Sequence, residues 1–379
     1  MAGIFAGAMG GCSSLPSLSS LNPLTFFSSA DKKPVPLPPI PAPVSTSMIW
    51  SANVGKPAGY VFIPVLADRL LYAASNDAII ALTEEGGKVV TRIDIPNKIT
   101  GGVGIGKEMI VVGTGKGEVV AFDSAGRTLW KNQVNGEILA PPSVTNGAVI
   151  VRTSDGRISA LNRIDGKRQW VYQRATPALT LRTNAGVLVS RSTIYAGYPG
   201  GKLMAIELDS GKPIWEATLS LPRGATELER IADIAALPVL DASVVCAGTY
   251  QGRSGCVETL SGNVVWARDI STATGMVLDT KNLYLSDAEG NVHALDKASG
   301  ASVWKQDKLI RREPGTPLLL NGRLLVGDNG GMVHVLSLEN GELIGRIETD
   351  GSRINALIAQ DERAIVQTEK GGIFAIAVK

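Results

Sequence analysis

Three groups of side chains are of types that can do chemistry. The run GGVGIGKE at 101–108 approaches a phosphate-cradling loop. Such a loop needs GxxxxGK followed by Ser or Thr, so that backbone N–H groups hold the phosphates, the lysine reaches them and the hydroxyl binds magnesium. Here Glu108 stands where the hydroxyl is required, and the segment reads as a turn between strands, so no nucleotide site is expected. His293 and His334 share one register in NVHAL and MVHVL. They would be two metal ligands with no third, and strand histidines satisfied by a backbone partner are the simpler expectation. Neither has a Ser or Cys nucleophile in a recognised context. Cys246 and Cys256 lie in VVCAGTYQGRSGCVET, on two strands joined by a turn near Gly252. They are a candidate cross-strand disulfide in an oxidising compartment, with two reduced buried thiols the equal alternative.

The third cysteine, Cys12, ends an opening stretch of small and apolar residues, MAGIFAGAMGGC, after which polarity rises. That is the profile of a signal peptide's end. Gly10, Gly11 and Cys12 resemble the lipobox of bacterial lipoproteins, with Met9 where that pattern prefers Leu, and the resemblance implies an acylated Cys12. Residues 13–46 are rich in Ser and Pro, including PVPLPPIPAPV at 34–44. Proline removes donors and fixes φ, so this stretch cannot join a sheet and is expected to be an extended tether.

Elements able to position such residues follow from composition and repetition. A net charge of +2 without a basic block provides no footprint for nucleic acid or for an anionic membrane surface. No window of 18 apolar residues offers a membrane-spanning helix. The 43 glycines and 20 prolines favour short strands and turns over long helices. All six tryptophans, Trp50, Trp130, Trp170, Trp215, Trp266 and Trp304, fall into one series, and the last five close similar segments such as GEVVAFDSAGRTLW and GNVHALDKASGASVW. Two weaker copies end at Thr91 and Gly345, which makes the spacing close to forty residues apart from two longer gaps.

Each unit reads as an apolar strand, a turn, a second strand after Gly, an Asp or Asn turn with Gly, and a last strand carrying Trp, with room for a short strand first. Four antiparallel strands in forty residues make a propeller blade. The tryptophans are read as packing between blades and not as a ligand cage. Seven blades close at residues 91, 130, 170, 215, 266, 304 and 345. The C-terminal piece, RINALIAQDERAIVQTEKGGIFAIAVK, supplies three strands of an eighth, and SMIWSANVG, with Trp50 in register, supplies its fourth. The expected fold is therefore all-β: an eight-bladed β-propeller over 47–379, closed by an N-terminal strand joining the C-terminal blade.

The spacing stretches twice in succession, between Trp170, Trp215 and Trp266. The inserted connections are QRATPALTLRTNAG (173–186) and SLPRGATELERIADIAALP (220–238), whose TELERIADI portion can form a short helical turn. Functional residues in repeat scaffolds sit where connections grow, and these two should lie side by side on one face. Leu179, Leu181 and Arg182 combine apolar anchors with a bidentate cation, and Asp233 is placed either to hold Arg182 or to meet a basic partner group. A purely covering role for the leucines, with solvated charges, fits the same residues.

The GxVxALDxxxGxxxW repeats are similar to those of the quinoprotein-like β-propeller family. An eight-bladed ring behind a lipobox, with PALTLRT and ERIADIAALPV in the expanded connections, resembles the BamB family, lipoproteins of the outer-membrane β-barrel assembly machine. The resemblance covers the chain from Cys12 onward. It implies a non-catalytic scaffold without cofactor, lipid-anchored in the outer membrane of a Gram-negative bacterium and facing the periplasm. It also implies that Leu179, Leu181, Arg182 and Asp233 contact the POTRA domains of BamA within the Bam complex. The many strands, and not the resemblance, suggest that blade edges guide unfolded outer-membrane proteins by strand addition, and the ring's protection of those edges argues against it. Family members often carry a second Asp two residues after the first, where this chain has Ala235. The competing expectation is a pyrroloquinoline-quinone dehydrogenase on the same propeller, but the adjacent cysteines and calcium-binding acidic cluster of many such enzymes have no counterpart here. A third is an unrelated periplasmic binding propeller, which would need neither the tether nor the paired connections.

Overall fold

Each forty-residue unit forms a four-stranded antiparallel sheet in a computed structural model that describes residues 34–41 and 43–379. Eight such sheets follow one another. Blades 1 to 7 span 65–94, 99–133, 143–172, 188–218, 239–268, 276–306 and 318–348, and blade 8 combines 354–378 with Thr46–Asn53. The expected eight-bladed propeller is thus the observed one, and its first strand begins at Thr46, one residue before the expected boundary. Cys12 and the tether up to residue 33 lie outside the described residues.

The two middle strands of a blade are buried on both faces, as in Met109–Thr114, because neighbouring blades cover both sides of the sheet. The outermost strands alternate, as in Val89–Asp94, because their edge faces water. In blades 1 to 7 a register shift interrupts the pairing of the third and outermost strands beside the Trp position, for example between Ala121 and Phe122 opposite Trp130. A bulge at that point turns the outermost strand and re-aims its large side chain.

The indole then locks one blade onto the next. Trp130 Nε1 donates to the Arg163 carbonyl at 2.9 Å, and its six-membered ring lies on Gly166 in the turn between the third and fourth strands of blade 3. A Cβ at Gly166, whose φ is 71°, would sit 2.5 Å from Trp130 Cε3, so the turn needs glycine both for its backbone and for the indole. Trp50, Trp170, Trp215, Trp266 and Trp304 repeat this contact, each donating to a carbonyl of the following blade. Packing between blades is therefore what the tryptophans do. At Gly345, where the series lacks Trp, Val44 packs against the bare position.

Closure uses seven paired residues between Thr46–Asn53 and Gly372–Val378, from Thr46 opposite Val378 to Asn53 opposite Gly372. Trp50 completes it by reaching blade 1, where its indole N–H donates to the Glu84 carbonyl.

The end of the proline-rich segment differs from a free tether. From Val35 to Val44 the described residues lie along blade 7: Leu37 and Val44 pack on its apolar clusters, and Val44 N–H donates to the Ile344 carbonyl at 2.7 Å. Arg312 donates to the Val35 carbonyl at 3.3 Å and Arg346 to that of Pro38. A proline-rich segment that lacks donors still offers carbonyl acceptors, and two arginines on the ring use those of Val35 and Pro38.

Cys246 and Cys256 stand opposite each other in neighbouring strands of blade 5 and are joined as a disulfide, with Cα atoms 4.0 Å apart. An unreduced preparation of residues 35–379 is expected to weigh about two hydrogen masses less than the reduced chain. Reduction should destabilise blade 5 by about 2–4 kcal/mol. Two alkylatable thiols in the unfolded, unreduced protein would contradict this.

Candidate docking site

The glycine-rich run forms the inner strand Ile99–Gly106 of blade 2 and a tight turn in which Lys107 and Glu108 have φ of 54° and 60°. It precedes another strand, not a helix, so it builds no phosphate cradle. His293 and His334 each occupy the third strand of their own blade, and here the expected backbone partner is replaced by a carboxylate. His293 Nε2 lies 2.8 Å from Asp287 Oδ2, and His334 Nε2 lies 2.9 Å from Asp328 Oδ2. Both aspartates also accept backbone N–H groups of the preceding turn, which explains the spacing of six residues. Burial pushes the Asp287 carboxyl up, but the His293 and Asn291 side chains and turn amides outweigh it and hold the group down at about 2. Among the described residues no group of three His, Cys, Asp or Glu is placed to hold a metal ion.

The two expanded connections do meet. Asp233, only 4% exposed, accepts the Leu181 N–H at 2.8 Å and the Gly200 N–H at 3.3 Å. It therefore ties the first connection to the second through backbone, and both alternatives expected of it are corrected: it neither holds Arg182 nor faces outward. Buried carboxylates need donors, and two amides supply them without a second charge.

Arg182 is held from elsewhere. Its Nε lies 3.1 Å from Glu137 Oε2 and its Nη2 2.6 Å from Oε1, a bidentate pair with the connection between blades 2 and 3. Its guanidinium also stacks over Tyr60, 5.6 Å from the ring centroid. The side chain remains 58% exposed, so it is oriented without being covered. Leu179 is exposed beside it, whereas Leu181 is half-buried. Leu221, Leu228 and Leu237 are exposed along the second connection.

Tyr60, Leu139, Leu181, Arg182 and Ala235 line a cleft of about 250 Å³. Ala235 is buried at its wall, so no carboxylate stands there. Tyr60 and Glu137 were not among the expected residues. The apolar run Tyr60–Val61–Phe62–Ile63 between Pro57 and Pro64 was a readable sign of a third elaborated connection, but Glu137 carried none. The TELERIADI stretch forms a single turn and no helix: Thr226 Oγ1 accepts the Glu229 N–H while Glu229 Oε2 accepts that of Thr226.

Electrostatically the face presents Arg182 among exposed leucines, with Arg223 and Arg230 also exposed along the second connection, and no metal-ligating group of three lies among the described residues. Such a composition suits recognition of a partner surface with an acidic group beside apolar residues.

Comparison with known proteins gives a consistent result. A family model described as "Outer membrane protein assembly factor BamB" matches residues 47–306. The protein of that name from Nitrosomonas eutropha is 41% identical over 334 residues, covering 87% of this chain and 82% of the relative. Among solved structures, BamB from Moraxella catarrhalis superposes with a TM-score of 0.82 at 24% identity, over 88% of this chain and all of that one. The quinohemoprotein alcohol dehydrogenase from Comamonas testosteroni has a TM-score of 0.70 at 14% identity, covering 87% of this chain and 76% of its own, and shares the fold alone.

Proposed function

The chain belongs to the BamB family of outer membrane protein assembly factors, and from that premise we propose that its ring is a non-catalytic scaffold docking on the POTRA domains of BamA. The scaffold is held at the outer membrane by an acylated Cys12, faces the periplasm, and assists folding and insertion of outer-membrane proteins with the other Bam subunits. The observation that carries this reading is the joined pair of connections, in which Asp233 fixes Leu181 while Glu137 and Tyr60 present Arg182 beside exposed Leu179. Leu179, Leu181 and Arg182 form the contact surface, and Asp233 acts from beneath it. The dehydrogenase alternative is not favoured, because its relatives here are distant.

Titration of residues 35–379 with the purified POTRA domains of the cognate BamA, followed by calorimetry, tests the proposal. Saturable binding, with a Kd of about micromolar order or tighter, is expected. A folded ring that releases no heat and shows no co-migration would remove the docking partner.

A further inference from the structure

The connection bearing Leu179–Arg182 begins and ends at one aromatic ring. Tyr198, in the strand Thr193–Tyr198 of blade 4, is fully buried, and among the described residues its hydroxyl has no hydrogen-bond partner. Two guanidinium groups lie over that ring, Arg152 at 5.0 Å and Arg174 at 5.2 Å from the centroid. Arg174 is in the first turn of the connection and also pairs with Glu216 at 3.0 Å. Arg152 comes from blade 3 and donates to the Gly186 carbonyl at the connection's far end, at 3.1 Å, and to that of Gly197 in blade 4. Among the described residues no carboxylate lies within ion-pair distance of Arg152, although burial disfavours its charge. A methionine would fill similar volume without that desolvation, so the guanidinium has to be explained by what it binds: two carbonyls and a π face.

We propose that Tyr198, Arg152 and Arg174 form a cation–π pin that closes both ends of the 173–187 connection, so that Leu179, Leu181 and Arg182 are presented already ordered. The proposal rests on the docking reading for its purpose but not for its physics. With the ends pinned, Leu181 held by Asp233 and Arg182 by Glu137, the connection has four fixed points, and little freedom remains to be lost on binding. Arg152 and Tyr198 are positioning residues that do not themselves reach a partner.

Hydrogen exchange of amides 176–185 in residues 35–379 reads the pin without any partner. Arg152→Met should speed that exchange by about tenfold or more while the middle strands of the blades keep their protection. Arg174→Gln, nearer the surface, should act in the same direction and serves if Arg152→Met fails to fold. Tyr198→Phe should change nothing, whereas Tyr198→Leu should loosen the connection. With POTRA domains added, Arg152→Met should slow association by about the fall in the ordered fraction and leave dissociation unchanged. Unchanged exchange in both arginine variants would overturn the pin. Faster exchange with unchanged association would overturn its role in presentation. Faster exchange in a ring whose wild type binds no POTRA domain would overturn the docking reading while the pin stands.

Discussion

Arg182→Glu is expected to abolish the proposed POTRA binding and to leave the ring folded. Arg182 is bidentate to Glu137, but its side chain is 58% exposed, and exposed pairs contribute only about 0–1 kcal/mol to stability. The fold therefore loses little. At the proposed interface the variant sets a carboxylate beside Glu137 where a cation stood. Reversing a charge that becomes buried on association costs about 2–5 kcal/mol, a factor of roughly 30 to several thousand in Kd. Arg182→Ala should fall between variant and wild type, because Glu137 is then unpaired but not opposed. Asp233→Ala should also weaken binding, by a different route: it strands the Leu181 and Gly200 amides in a buried place and disorders the connection. Calorimetry separates the two, since Asp233→Ala lowers the melting temperature and Arg182→Glu does not. Wild-type affinity in Arg182→Glu would take this face out of the interface.

What was legible beforehand follows from how far each signal reaches along the chain. The blades were visible because one physical need, an indole filling the gap to the next blade over a glycine turn, recurs at a near-regular interval, with indole and carbonyl partner 31 to 44 residues apart. Closure by Trp50 followed from the same rule applied around the ring. The docking connections were visible as departures from the interval. Asp233 was misplaced because a carboxylate and a guanidinium on adjacent connections invite pairing, and nothing in either segment tells that Glu137 already holds Arg182. The proline segment was read as an extended tether because its missing donors exclude it from a sheet. They do not exclude it from a surface where Arg312 and Arg346 seek acceptors. Arg152 and Tyr198 looked like ordinary strand residues, since the pin joins blades 3 and 4 through side-chain geometry that no local pattern encodes.

A chain beginning at Thr46 is expected to stay a monomeric, cooperatively melting ring, and one beginning at Gly55 is not. The nine residues between those starts supply the whole outermost strand of blade 8. Without them Gly372–Val378, buried along most of its length, becomes an unprotected edge with apolar residues on both faces. The shorter chain also loses the Trp50 contact with blade 1, where removal of a comparable buried aromatic costs about 3–5 kcal/mol. Native stability is typically about 5–15 kcal/mol, so that contact alone is a large share of it, before the seven lost pairings are considered. Loss of the 35–45 strap, with its packing of Leu37 and Val44 and its backbone hydrogen bonds, is common to both chains, so a comparison of 46–379 with 55–379 isolates closure. Sedimentation should show one species for the first and association for the second. A synthetic peptide of residues 45–54 should restore the monomer by adding the missing strand, as an edge-to-edge complement requires. If 55–379 sediments as a monomer and melts where 46–379 does, blade 8 is stable with three strands and the N-terminal strand is not the closure of the ring.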